Sequence, residues 1–319
     1  MNQLIEPGWI ADDPSNHVIF NKLVSFLDSV SADPTNASQL VASTTDALSS
    51  TGTSQPSVEQ YRSESRFLFA ILLTIVQQLE PIAAEQDYLI KLVLSLRETP
   101  VLESVSTTID PYAMDSNDMN RDLDNFINVW SSIGIDAPFH PSLESRGGHV
   151  ELDKVRPPWR QDPGHYLSAE SWASLSAFLA RLHVAARDLL KLDLRGLFAM
   201  IEALEQPLSP AELEDAIPPA AYWIIYAGKE LKHNNFPYAF YESDNGTKRL
   251  PWSKGVLWEG RHAFNPARWD FWMQRFKAIA ERPENGEAVR ELATRAFEAG
   301  STCDGCALDV TAAVSWSEN

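Results

Sequence analysis

Three aspartates open the chemical case. Asp115, Asp118 and Asp122 stand at i, i+3 and i+7, so a helix running from Asp115 to Trp130 would carry three carboxylates on one face. Oxygen ligands in that arrangement suit Mg2+, which offsets charge on a departing diphosphate. The expected metal set is Asp115, Asn117 and Asp118, with Asp115, Asp118 and Asp122 as the catalytic carboxylates. A structural role competes. Asp115 is a natural N-cap, and Asp118 falls in a first turn, where the helix dipole favours negative charge.

Basic residues stand out in so acidic a chain. Arg156, Arg160, Lys229 and Arg261 are candidates for gripping a substrate phosphate, since guanidinium groups meet phosphate oxygens bidentately. Arg181 sits inside a strongly apolar helix and fits better as a buried ion-pair partner. Trp223, Trp258 and Trp269 are candidates for lining an apolar pocket, because a carbocation needs π faces and a dry cavity. The same rings at helical spacing also suit an ordinary core. Asn234 and Glu242 have the separation of a metal motif, but Tyr238 cannot replace its serine and Pro237 would interrupt the helix. Cys303 and Cys306 flank a turn-like Asp304-Gly305, with neither the strand of a redox site nor further zinc ligands in view.

Composition narrows the partners. With 26 basic and 44 acidic residues the formal charge is −18, which repels nucleic acid and anionic lipid. The run from Phe67 to Val76 is roughly half of the ~20 residues a membrane span needs. Residues Met1 to Glu6 lack the basic start and apolar stretch of a signal peptide, so a cytoplasmic protein is expected. No nucleophile elbow, P-loop or dinucleotide fingerprint occurs.

The positioning elements read as helices throughout. Apolar stripes predict helices at Asn16–Val30, near Asn36–Leu48, from Ser57 to about Leu79, and from Pro81 to near Arg97. Residues 131 to 165 are rich in Pro and Gly and read as a long loop. Beyond it, Ser168 caps one helix, and Ser209-Pro210-Ala211-Glu212 forms a capping box for another. Asn265-Pro266 starts a third, and further helices cover about Leu192–Leu204, Ala220–Leu231 and Glu287–Ala299. The expected fold is all-α, with about nine to eleven helices in a single helical domain or two closely packed layers. Residues 1–50 form an N-terminal helical arm and 57–319 the main domain.

Four ordered motifs lie between residues 172 and 299. They are Ser176-Ala177-Phe178-Leu179-Ala180-Arg181-Leu182, Ile201-Glu202-Ala203-Leu204-Glu205, Ala221-Tyr222-Trp223-Ile224-Ile225-Tyr226-Ala227-Gly228-Lys229, and Leu257-Trp258-Glu259-Gly260 followed by Arg268-Trp269-Asp270-Phe271-Trp272. Together they resemble a fungal family known as domain of unknown function 3632. The first half departs from the pattern, with Trp130-Ser131-Ser132 as the nearest counterpart of an expected element.

The resemblance implies proteins of natural-product clusters, including one for oxopyrrolidines. A looser similarity in kind extends to non-canonical fungal α-humulene synthases. On that footing the expected function is an enzyme of fungal secondary metabolism acting on a hydrophobic small molecule. Its most concrete form is an Mg2+-dependent sesquiterpene cyclase that ionises farnesyl diphosphate. The alternative is a non-catalytic helical module that binds a ligand or a protein. The expected partners are a hydrophobic small molecule or prenyl diphosphate, and a second copy of the chain in a homodimer.

Overall fold

A computed structural model describes residues 4–49, 58–98, 168–186, 193–233, 255–260 and 266–302. These form ten α-helices and one 3-10 turn, with no strand among the described residues. The helices are α1 (Gly8–Ala11), α2 (Pro14–Ala32), α3 (Ala37–Ser49), α4 (Val58–Val76), α5 (Ala84–Glu98), α6 (Ala169–Ala185), α7 (Asp193–Leu204), α8 (Pro210–His233), α9 (Pro266–Glu281) and α10 (Glu287–Thr302). The all-α expectation holds. The chain divides into two compact units, Met1–Lys191 and Leu192–Asn319.

Local chemistry sets the helix ends. The Asp13 carboxylate accepts from the Ser15 and Asn16 amides, and Pro14 occupies the first position of α2. The Ser168 hydroxyl accepts from the Ser171 amide at the start of α6. Ser209 and Glu212 form the reciprocal box expected of them. The Ser209 amide donates to Glu212 Oε2 at 2.7 Å, and the Glu212 amide to Ser209 Oγ at 3.4 Å.

One sequence expectation fails here. The helix starting near Ser209 and the one placed at Ala220–Leu231 are a single helix, α8, which runs straight through Pro218 and Pro219. Each proline removes a ladder hydrogen bond and crowds the carbonyl four residues back. Burial of Ile217, Ala220, Ala221, Trp223 and Ile224 offsets that cost.

In the N-terminal unit, α2 packs on α3, α4 and α5, while α6 packs on α4 and α5. The end of α4 explains the long apolar run. Phe69 to Leu73, Ile75 and Val76 are all buried, so the helix is apolar nearly all round because it lies in the core. Among the described residues no helix is long and apolar enough to cross a membrane. In the C-terminal unit α10 packs on α8 and α9, and α7 on the same two helices. Gly300 permits the close approach of α10. A Cβ there would lie 2.2 Å from Met273 Sδ and 3.2 Å from Ile224 Cγ2.

Candidate functional site: a saturated carboxylate at the signature helices

The chain leaves α7 at Leu204, and the next residue is a fully buried glutamate. Glu205 faces Arg268 in the first turn of α9, and both side chains have no exposed surface. Arg268 Nε donates to Glu205 Oε1 at 2.6 Å and Nη2 to Oε2 at 2.9 Å. This is the fork-on-fork geometry that suits Arg to carboxylate. One helical turn on, Trp272 Nε1 donates to Oε1 at 2.8 Å, and the Gly255 amide donates to Oε2 at 2.7 Å. Four donors therefore fill the four acceptor positions of the carboxylate. The Arg268 guanidinium also lies 5.5 Å from the Trp272 ring centroid, and Trp269 meets Trp272 edge-on at 6.4 Å.

The same node ties down a loop. The Leu257 amide donates to the Glu205 carbonyl at 2.9 Å, so residues 255 to 257 hang from both the side chain and the backbone of Glu205. Gly255 is required there, because a Cβ would stand 2.4 Å from Glu205 Cβ. Arg275 Nε donates to the Leu204 carbonyl at 3.0 Å and satisfies another orphan group at the end of α7. Desolvation, and then the charge of Arg282, holds the Arg275 guanidinium below its usual range. Farther along the loop Trp258 is half-buried against Phe271, with ring centroids 5.3 Å apart.

A saturated, sealed carboxylate cannot bind a metal or move a proton without breaking this node. The Arg–Trp–Phe–Trp motif and the Leu-Trp-x-Gly loop thus meet the Ala-Leu-Glu helix end as one structural latch.

The N-terminal unit holds a second arginine node. Arg181 of α6 donates from Nη1 to Asp87 Oδ1 at 2.8 Å and from Nη2 to Gln86 Oε1 at 2.9 Å. It also reaches the Pro81 carbonyl. The expected ion pair is present, with side chains 12% and 30% exposed. Gln86 has no exposed surface, and its Nε2 donates to Ser174 Oγ at 2.7 Å and to the Glu80 carbonyl at 3.0 Å. Ser174 Oγ in turn donates to the Val76 carbonyl at 2.6 Å. A continuous polar chain so joins the end of α4, the Pro81 turn, α5 and α6.

Of the candidates named from sequence, Trp223 and Trp269 lie in the core at 1% exposure each. Lys229 is exposed on α8, and Trp258 is placed as above. Asp115, Asn117, Asp118, Asp122, Arg156, Arg160 and Arg261 lie outside the described residues, as do Asn234, Glu242, Cys303 and Cys306. Among the described residues no group of three His, Cys, Asp or Glu gathers as a metal site.

Sequence reasoning passed over Glu205 and Arg268 as candidates, although both lay inside quoted motifs. The available signal was a charge beside apolar residues: Glu205 directly after Ala203-Leu204, and Arg268 four residues before Trp272. Glu202 was passed over as well. It is half-buried, and burial pushes its carboxyl up to about 8.

No curated protein and no solved structure matches the chain. A family model described as "Protein of unknown function (DUF3632)" matches residues 69–276, more than half of the chain. That span contains both arginine nodes, and the chain belongs to the DUF3632 family.

Proposed function

We propose that this protein is a helical scaffold that binds a hydrophobic small molecule, and that its family signature holds the scaffold together. The observation that carries this reading is the saturation of Glu205, whose four acceptor positions go to Arg268, Trp272 and Gly255. Signature residues that are sealed and fully paired contribute shape. Helix-lined apolar enclosure with a few polar groups is the usual form of a small-molecule site.

The enzymatic reading, turnover in fungal secondary metabolism, is favoured by a different observation, the spacing of Asp115, Asp118 and Asp122. In it, Mg2+ held by Asp115, Asn117 and Asp118 would assist departure of diphosphate from farnesyl diphosphate. Arg156, Arg160, Lys229 and Arg261 would grip the leaving group. The resemblance to proteins of oxopyrrolidine clusters and to non-canonical α-humulene synthases supports this reading.

One experiment separates the two. The full chain is titrated with apolar ligands by displacement of an environment-sensitive fluorophore, and is incubated with farnesyl diphosphate and Mg2+. Saturable displacement without a volatile product supports the binding scaffold. A hydrocarbon product that disappears in the Asp115→Asn/Asp118→Asn variant, with melting unchanged, replaces it with the cyclase. No saturable displacement and no product contradicts both.

A further inference from the structure

The residues ahead of α1 form a strap on the N-terminal unit. Leu4 to Pro7 belong to no helix, and Pro7 is extended at φ −67° and ψ 153°. Gln78, in the turn that ends α4, takes Ile5 by both backbone groups. The Ile5 amide donates to Gln78 Oε1 at 2.6 Å, and Gln78 Nε2 donates to the Ile5 carbonyl at 2.9 Å. One side-chain amide thereby makes the two-point pairing that a neighbouring strand offers a peptide. At the next residue His17 of α2 meets Glu6, Nδ1 to Oε1, at 2.7 Å. The carboxylate only accepts, so Nδ1 is the donor.

Both reading groups are set by their own helices. Gln78 Nε2 also donates to the Thr74 carbonyl at 3.3 Å, and Asn21 Nδ2 donates to His17 Nε2 at 2.9 Å. Neither group needs the strap for its orientation, which lowers the cost of binding there. The Ile5 side chain, by contrast, is 72% exposed. The seat therefore reads the backbone of one residue and the carboxylate of the next, and leaves the first side chain unread.

The strap is lightly held. Its contacts lie at the surface, where a hydrogen bond replaces one to water and an ion pair contributes little. Ordering the extended residues opposes them. Ile10 has no exposed surface and anchors α1, so release is confined to the residues before it.

We propose that Gln78 and His17 form a peptide-binding seat, closed in cis by Ile5 and Glu6, for an extended segment of a partner protein in which Asp or Glu directly follows the gripped residue. The segment already seated there defines the occupant's chemistry. The seat is independent of the small-molecule reading above. A tethered strap competes at high effective concentration, so binding in trans is weak until the strap is released. With 44 acidic and 26 basic residues the chain as a whole repels an acidic peptide, so a carboxylate that strengthens binding must meet a local donor.

The probe is a fluorescein-labelled peptide of residues 2–8, titrated by anisotropy against the full wild-type chain and the full-length variant Ile5→Pro/Glu6→Ala. That variant lacks the strap's amide donor and its carboxylate, and should bind the peptide about tenfold more tightly than the wild-type chain. With the variant, N-methylation of the peptide's isoleucine, or glutamine in place of its glutamate, should each weaken binding about five- to tenfold. Alanine in place of the isoleucine should leave affinity within about twofold, because that side chain is unread. Adding Gln78→Leu to the variant should cost as much as N-methylation of the peptide. Thermal melts check folding. If the strap variant does not fold, hydrogen exchange of the Ile5 amide in the wild-type chain decides, and should quicken severalfold with excess peptide. Binding that follows the isoleucine side chain and ignores the amide and the carboxylate overturns the seat. So does a folded strap variant that binds no peptide, or an Ile5 amide whose exchange the peptide leaves unchanged. Sedimentation of the wild-type chain covers the remaining occupant: a dimer that Gln78→Leu dissociates would assign the seat to a second copy and overturn the partner.

Discussion

The two arginine nodes solve the same problem with different chemistry. In the C-terminal unit Arg268 meets an ionised partner in a space with no exposed surface, and every acceptor position of that partner is filled. In the N-terminal unit Arg181 meets one carboxylate, one side-chain amide and two backbone carbonyls, and its side chain remains 12% exposed. Neutral partners and some solvent make the second node forgiving. The first is not, since a buried charge that loses its partner keeps its whole desolvation cost. Both sit in signature helices, and both join elements distant in sequence.

That contrast is open to direct attack. Arg268→Met leaves Glu205 buried and unpaired, and should destabilise the C-terminal unit by about 3–5 kcal/mol, read by urea denaturation. A loss below about 1 kcal/mol would show that the node is hydrated in solution. Arg181→Met removes four hydrogen bonds, but to partners that are mostly neutral, and should cost about 1–3 kcal/mol. If it matches Arg268→Met, the distinction between the nodes is gone.

A third change sharpens the picture through pH. The Glu202 carboxyl titrates near 8 in the folded chain against 4.5 as its ordinary value. Below about pH 4.5 both states are protonated and the residue costs nothing. As pH rises toward 8 the unfolded chain ionises while the folded chain does not, so stability falls, and the loss is complete above that pH. Glu202→Gln removes this slope and should gain on the order of 1 kcal/mol at pH 8, allowing for the solvent that the carboxyl still reaches. Melting curves of both proteins at pH 5 and pH 8 should diverge only at the higher pH. The smallest effect belongs to Asp87→Asn. At 30% exposure this carboxylate contributes roughly 0–1 kcal/mol, visible as a small shift in the denaturation midpoint.

Much of the architecture was legible because helix signals are local. Asp13, Ser168 and the Ser209–Glu212 box mark helix starts by side-chain chemistry within a turn, and apolar stripes such as Leu23, Phe26 and Leu27 declare the inward face. The unbroken passage of α8 through Pro218 and Pro219 was not legible, because tertiary burial there outweighs a strong local breaker. The Glu205 node was hidden for a related reason. Glu205 and Arg268 are 63 positions apart, and no periodicity links a helix end to a later first turn. Arg181 was easier, since a guanidinium inside Ala177-Phe178-Leu179-Ala180 needs a partner wherever it lies.

The central claim is that the family signature is a latch that holds the fold. A double-mutant cycle on Glu205→Gln and Arg268→Met, read by urea denaturation of the full chain, tests it most directly. The latch predicts a coupling of about 2 kcal/mol or more between the two positions, with the double variant less unstable than the sum of the singles. Additive losses below about 0.5 kcal/mol each, accompanied by lost ligand binding or turnover, would contradict it and move Glu205 and Arg268 into the functional machinery.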